Sequence, residues 1–170
     1  VGVARALILT PKLVVLDEPV SALDVSIRAQ ILNLLLRLQE EFGLTYIFIS
    51  HDLTIVRKLC NRMAVLYLGK VVETGSSEEV SARPLHPYTQ ALIASIPQPR
   101  VGGRRAADLA SIQGELPSAF DLPRGCRFQS RCPHRMGKCA AQEPALVEVA
   151  AGHSVACFLH SDATAPEAPS

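Results

Sequence analysis

Two short apolar runs, separated by an amphipathic stretch, constrain the fold of this chain more than any other feature. Leu13 to Leu16 (LVVL) and Thr45 to Ile49 (TYIFI) are too short for helices and predict buried parallel strands. Between them, apolar residues recur at helical spacing from Asp24, a predicted N-cap, to Gly43, a predicted C-terminal cap. This order predicts a βαβ unit, and hence an α/β fold with a mainly parallel sheet.

Composition indicates a globular protein and excludes several classes. With 48% hydrophobic and 19% charged residues, the chain is too apolar to stay disordered. Its 17 Lys and Arg residues nearly balance its 16 Asp and Glu residues, so no basic excess points to nucleic acid or a membrane surface. No apolar stretch reaches the roughly 18 residues that a transmembrane helix needs. Because the chain starts with Val1 inside a helical pattern, we expect a fragment whose N-terminal part is missing.

Shorter elements follow the second apolar run. Met63 to Glu73, with Gly69 where a tight turn needs a positive φ, predicts a β-hairpin. Ser76 and Glu79 form a capping box that predicts a short helix, and Pro87 predicts the start of another.

Composition changes sharply near residue 84, because ten of the 12 prolines lie at or after Pro84. We therefore predict an incomplete α/β domain over residues 1–83, a C-terminal extension over residues 84–160 and a disordered tail over residues 161–170. Within the extension, residues 98–123 are rich in Gly, Arg, Ala and Pro and predict an extended linker.

Two carboxylates stand at the end of the first predicted strand. Asp17 and Glu18 follow LVVL directly, and ligands of open α/β sheets bind beyond the carboxyl ends of the strands. This is the Walker B arrangement. It predicts that Asp17 holds Mg²⁺ through water and that Glu18 polarises the water that attacks a γ-phosphate. Taken alone, Asp-Glu-Pro is more often a polar turn, so the assignment depends on the neighbouring segments.

Two further segments accompany the carboxylates. Ser21, Ala22, Leu23 and Asp24 (SALD) come directly after them, and His51 lies after the second predicted strand within ISHD. In this order and spacing, the segments resemble the nucleotide-binding subunit of an ATP-binding cassette (ABC) transporter, a P-loop NTPase. The resemblance implies ATP and Mg²⁺ as ligands. It also implies that SALD is the D-loop, which touches a second ATPase subunit, and that His51 contacts the γ-phosphate.

The phosphate-binding segment of that family, G-x-x-x-x-G-K-[ST], does not occur in the chain, and neither does the signature motif. We therefore expect ATP hydrolysis from the intact protein and none from these 170 residues alone.

The second half resembles one branch of the same family. Leu85 to Pro97 (LHPYTQALIASIP), GELPSAF and GCRFQSRCP are similar to the C-terminal extension of oligopeptide and dipeptide importers, a branch that includes nickel-type importers. The resemblance implies an ATP-hydrolysing subunit that energises peptide import from the cytoplasmic face of the cell membrane. Its implied partners are a second ATPase subunit, transmembrane permease subunits and, indirectly, an extracytoplasmic solute-binding protein, with no nucleic acid.

Three alternatives stay open. The first is an importer ATPase for nickel or another small solute, and the second is a soluble non-transport ABC-type ATPase. The third is a non-enzymatic metal or redox sensor that uses the cysteines. The second alternative predicts heptad segments or basic patches, and the sequence has neither.

Four cysteines are grouped near the end of the chain: Cys126, Cys132, Cys139 and Cys157. In a protein without an export signal, such a group is more often a metal site than a set of disulfides. A four-iron four-sulfur (4Fe-4S) cluster suits four thiolates, and some importers of the resembled branch carry one in this extension. Zinc is the second possibility, although the C-x2-C pair typical of structural zinc is missing, and free or disulfide-bonded thiols are the third.

Basic residues surround the first three cysteines, which predicts lowered cysteine pKa values. They are Arg124, Arg127, Arg131, Arg135 and Lys138. His86 and Tyr88, which lie at the start of a predicted helix, are expected to pack or cap and are assigned no chemistry.

Overall fold

A computed structural model describes residues 2–96 and 122–161 of the chain. They belong to two compact units, Val1–Cys60 and Asn61–Ser170. The predicted linker over residues 98–123 and the predicted tail over residues 161–170 lie almost wholly outside the described residues.

The first unit is a βαβ unit with one further helix at each end. Its elements are α1 (Gly2–Leu7), β1 (Leu13–Asp17), α2 (Val25–Phe42), β2 (Thr45–Ile49) and α3 (Leu53–Leu59). β1 and β2 pair in parallel, with Leu13 opposite Thr45 and Asp17 opposite Ile49. The predicted order of strand, helix and strand is confirmed.

The caps that limit the helices of this unit are local in sequence. Gly43 ends α2 with a φ of +62°, and its N–H donates to the carbonyl of Gln39. Such a left-handed residue is usually glycine because it has no Cβ to clash. Asp52 begins α3, and its Oδ1 accepts hydrogen bonds from the N–H groups of Thr54 and Ile55 at 2.9 and 3.4 Å.

The core of the first unit lies on one face of the two strands. Val14, Leu16 and Leu35 are buried together, with partly buried Val3, Leu7, Ile31, Tyr46 and Phe48 against them. The alternate side chains of β1, Leu13 and Val15, are exposed, so this strand is buried on one face and not on both as its apolar run suggests.

The second unit is built on an antiparallel sheet with the strand order β3-β4-β6-β5. Its elements are β3 (Arg62–Tyr67), β4 (Lys70–Ser76), α4 (Ser77–Ala82), α5 (Pro87–Ala94), α6 (Gly137–Ala141), β5 (Val147–Ala150) and β6 (His153–Val155). The predicted hairpin is confirmed as β3 and β4, and the two predicted helices are confirmed as α4 and α5.

The α/β class is confirmed, but the prediction of a mainly parallel sheet is not. Only β1 and β2 are parallel among the described strands, and the larger sheet is antiparallel. The difference arises because β6 pairs with β4 across a long sequence separation, with Glu73 opposite Val155. One sheet therefore contains strands from both sides of the composition change at residue 84, and the bounds 1–83 and 84–160 stay predictions.

The helices of residues 2–96 and 122–161 are short or amphipathic. None of them is both long enough and apolar enough to cross a bilayer.

Candidate functional site

The edge where β1 and β2 end carries the predicted carboxylates and histidine. Asp17 is exposed at the last position of β1. Glu18 follows it, and the N–H of Glu18 donates to the carbonyl of Ile49 at 3.0 Å. The strands β1 and β2 therefore end side by side. Glu18 has a φ of +46°, a left-handed conformation that is unusual for a residue other than glycine. Strain of this kind is concentrated at functional sites.

Glu18 and His51 are in direct contact. Glu18 Oε1 lies 2.9 Å from His51 Nδ1 and also accepts from the backbone N–H of His51 at 3.2 Å. Because the carboxylate is an acceptor, the contact places a proton on Nδ1 and leaves Nε2 of the imidazole free for another group. The His51 side chain is 78% exposed and that of Glu18 37%, so both are accessible from solvent.

The SALD segment folds against the same carboxylate residue. The hydroxyl of Ser21 donates to the carbonyl of Glu18 at 3.0 Å, and the N–H of Ser21 donates to it at 3.3 Å. Ala22 and Asp24 are exposed, and Leu23 is partly buried. Asp24 occupies the N-cap position of α2, as predicted, but its side chain forms no capping hydrogen bond.

The structure adds one residue to this site that the sequence did not single out. Arg28, one turn into α2, contacts both the SALD segment and Asp52, the residue after His51. A basic residue in an amphipathic helix is ordinarily solvated, and no sequence signal marks its partners. The structure thus brings Asp17, Glu18, SALD and His51 together at one strand edge.

The second unit brings the four predicted cysteines to one small pocket. Cys126, Cys132, Cys139 and Cys157 all line it, together with His86 and Phe128. The backbone N–H of Cys126 donates to the carbonyl of Cys139 at 2.8 Å, and the N–H of Met136 donates to the Cys139 sulfur at 3.4 Å. All four are free cysteines.

The expectation of lowered cysteine pKa values is wrong for Cys126 and Cys132. Burial raises the pKa of Cys126, Cys132 and Cys157 above the ordinary value. Backbone N–H groups oppose this by hydrogen bonding to each sulfur from two residues further along the chain, at Phe128, His134 and Leu159. At these three thiols desolvation therefore outweighs the backbone hydrogen bonds that lower the pKa.

The described part of the chain does not contain a preformed site for one metal ion. In residues 2–96 and 122–161, no three His, Cys, Asp or Glu side chains are grouped closely enough to hold it. The convergence of the four thiols is thus observed, whereas a metal bound to them stays a prediction.

A buried polar network adjoins this pocket, and no sequence motif marks it. Glu73 is fully buried on β4 and accepts hydrogen bonds from the N–H groups of Leu85 and His86 at 2.8 and 2.9 Å. Its Oε1 also lies 2.8 Å from His153 Nε2. His86 begins α5, and its Nδ1 accepts from the N–H of Tyr88 at 3.0 Å, so the expectation that it caps a helix is confirmed.

Comparison with known proteins agrees with this description. Residues 72–139 match the family described as oligopeptide/dipeptide transporter, C-terminal region. The chain is 52% identical over 161 residues to the oligopeptide transport ATP-binding protein AppF of Bacillus subtilis, a match that covers 95% of the chain and 49% of that protein. It is 50% identical over 158 residues to the oligopeptide transport ATP-binding protein OppF of Salmonella typhimurium, covering 93% of the chain and 47% of that protein.

Over nearly all of its length, the chain is similar to ATP-binding subunits of oligopeptide-type ABC transporters. It spans about half the length of the curated relatives that it matches.

Proposed function

We propose that the protein to which this chain belongs hydrolyses ATP, and that this hydrolysis energises the import of oligopeptides across the cytoplasmic membrane. The observation that carries the proposal is the 52% identity, over 95% of the chain, to an oligopeptide transport ATP-binding protein. The contact between Glu18 and His51 beside the SALD segment supports the same activity. Importers of nickel or other small solutes and non-transport ATPases are not favoured by these relatives.

In this proposal, each residue at the strand edge has a role that its position allows. The exposed carboxylate of Asp17 suits a hydrated Mg²⁺ ion, which prefers oxygen ligands and, when bound, neutralises charge on the phosphates. Glu18 orients the attacking water and accepts its proton. His51 holds the Glu18 carboxylate through its Nδ1–H, and a second proton on Nε2 would let the ring donate a hydrogen bond to the γ-phosphate as well.

The proposed partners follow from the same similarity to transporter subunits. They are a second ATPase subunit, which Ser21, Ala22, Leu23 and Asp24 touch, and the permease subunits of the transporter. The proposed location is the cytoplasmic face of the membrane. The solute-binding protein lies on the other side of the membrane and is therefore only an indirect partner.

The decisive experiment compares two carboxylate substitutions in the full-length subunit, assembled into its transporter. Glu18→Gln is expected to bind ATP normally and to slow hydrolysis by roughly 10² to 10⁴-fold, because the amide cannot accept a proton. Glu40→Gln, at an exposed position of α2, is the matched control and is expected to hydrolyse ATP at the wild-type rate. Uptake of a labelled oligopeptide should stop only in the first variant. Wild-type turnover by Glu18→Gln would contradict the proposed role.

We also propose that Cys126, Cys132, Cys139 and Cys157 bind one metal centre, with a 4Fe-4S cluster favoured over zinc. The proposal is supported by the four thiols at one pocket and by the backbone N–H groups directed at three of the sulfurs. Four thiolates are the ligand set that a 4Fe-4S cluster takes.

Metal analysis of anaerobically purified full-length protein tests this second proposal. Four irons with acid-labile sulfide and broad visible absorption indicate the cluster, whereas about one colourless zinc per chain indicates the alternative. Cys139→Ser should remove the metal, and Cys60→Ser, in the other unit, should retain it. If the wild-type protein has neither metal and its four thiols react freely, the proposed centre is wrong.

A further inference from the structure

A closed ring of contacts connects the SALD segment to the histidine, and one arginine completes it. Glu18 contacts His51 through its carboxylate and Ser21 through its carbonyl. On the far side of the ring, Arg28 Nη2 donates to the carbonyl of Leu23 at 3.4 Å, and Arg28 Nη1 lies 3.6 Å from Asp52 Oδ2. Arg28 is the side chain that joins the two loops on this side.

Both partners of Arg28 lie in loops that carry residues of the proposed ATP site. Leu23 belongs to SALD, whose Asp24 side chain forms no capping hydrogen bond and so does not fix this loop to α2. Asp52 directly follows His51, and its other oxygen, Oδ1, caps α3. A shift of either loop therefore changes the position of an Arg28 partner.

The Arg28 guanidinium can connect two acceptors in different loops, but it contributes little to the free energy of unfolding. It presents donors in a rigid fork, so two arms can contact two separate acceptors. Its Nε is buried and has no hydrogen-bond partner in the part of the chain that the structure describes, which means that the group is held here at a cost. The ion pair is about one-third exposed on both sides, where such pairs add little to folding.

We propose that Arg28 is a positioning residue for ATP hydrolysis, which holds the SALD segment at a fixed distance from the loop that carries His51. The proposal rests on the ATPase function proposed above. Arg28 is not assigned a contact with the water or the phosphates. It acts through Asp52 and Leu23 on the placement of the Glu18–His51 pair.

The test measures kcat and KM for ATP in the full-length subunit within its transporter. Arg28→Gln is expected to lower kcat roughly tenfold while KM and the melting temperature stay near wild type, because small errors in placement affect chemistry more than binding. Arg37→Gln, an exposed position on the same helix, is the control and should have the wild-type kcat. Arg28→Lys should resemble Arg28→Gln, since one ammonium group cannot reach both partners.

Asp52→Asn provides a second, independent measurement, because its Oδ1 still caps α3 while the charge on Oδ2 is lost. The double variant with Arg28→Gln should be no slower than the slower single variant, as expected for two residues that act through one contact. Additive losses, a wild-type kcat in Arg28→Gln or full rescue by Arg28→Lys would overturn the proposal. Glu18→Gln in the same preparations separates the two claims: if it stops hydrolysis while Arg28→Gln does not slow it, only the Arg28 inference fails.

Discussion

His51 makes two contacts with one carboxylate oxygen, and this geometry fixes how the imidazole can act. Both its backbone N–H and its Nδ1 point to Glu18 Oε1. The ring is thus held by the residue that is proposed to activate water, and its other nitrogen is directed away from that carboxylate. Loss of the ring should affect Glu18 as well as the phosphate contact.

This pairing predicts the effect of removing the imidazole. In the assembled transporter, His51→Ala should reduce ATP turnover at least tenfold, because both the orientation of Glu18 and the proposed γ-phosphate contact are lost. Steady-state ATPase assays at saturating ATP measure the change. Lys58→Ala, exposed on the adjacent α3, is the control. Unchanged hydrolysis in His51→Ala would exclude a γ-phosphate contact.

His86 predicts a pH dependence of stability in the second unit. Burial lowers the pKa of His86 to about 4, an effect to which His160 adds and which Glu73 opposes. As pH falls below about 6.5, the unfolded chain takes up a proton here and the folded chain does not, so stability is lost between about pH 6.5 and 4. The loss over this range is on the order of 3 kcal/mol.

The measurement is a series of urea unfolding curves of metal-free, reduced protein from pH 7 to pH 4.5. The matched variant is His86→Asn, whose amide oxygen can still cap α5 but which does not titrate. Wild type should lose stability relative to this variant as the pH falls. Parallel profiles for the two proteins would show that the buried imidazole is not the cause.

At the scale of elements, a loop next to the cysteine pocket approaches a helix closely. Gly125 lies against α6, where an added Cβ would overlap the carbonyl oxygen of Cys139 and come within 2.8 Å of the carbonyl group of Ala140. Backbone atoms cannot move aside as a flexible side chain does. The hydrogen bond from Cys126 to Cys139 depends on this approach.

Gly125→Ala should therefore destabilise the second unit by about 1 to 3 kcal/mol and release any metal that the cysteines hold. Gly137→Ala is the matched control, because an added Cβ there meets nothing within 4 Å. Chemical unfolding and metal content of the two full-length variants provide the comparison. Equal stability and equal metal content would mean that the Gly125 loop moves away from α6 without cost.

Elements defined by local signals were predictable from the sequence, and elements defined by distant pairing were not. The predicted helix between Asp24 and Gly43 is α2, Val25–Phe42, because its period and its caps are all within the segment. β5 and β6 were missed, since each has only three or four residues and β6 depends on β4 for its pairing. Gly152, which has a φ of +72° and lies between them, was an available turn signal.

The same distinction between local signals and distant contacts applies to the candidate sites. Asp17, Glu18 and His51 were predictable because each lies at or just beyond the end of a strand, and parallel strands end at the same edge. The partners of Arg28 and the buried carboxylate of Glu73 depend on side-chain placement, which no spacing in the sequence encodes. The cysteine pKa values were mispredicted because the sequence reveals nearby charges but not the degree of burial.

At the scale of the whole molecule, these 170 residues include the segments LVVLDEP, SALD and ISHD but no phosphate-binding sequence G-x-x-x-x-G-K-[ST]. We expect this chain, expressed alone, to bind ATP weakly and not to hydrolyse it. The reason is that the N–H groups and lysine of a phosphate-binding loop are not among its residues. Calorimetry with ATP and Mg²⁺ tests the expectation, with the full-length subunit as the positive control. Tight binding by the chain alone would contradict it.

The exposed face of β1 and β2 predicts that the chain alone also self-associates. Val15 is 59% exposed and pairs directly with Ile47, which is 48% exposed, and Leu13 and Ile49 lie on the same face. Exposed apolar side chains on a two-stranded sheet favour aggregation. Val15→Thr with Ile47→Thr should reduce light scattering without unfolding the first unit, because threonine keeps the β-branched shape at exposed positions. Val14→Thr, in the buried core, is the control and should unfold it. If the paired threonine variant scatters light as strongly as wild type, this face does not drive the association.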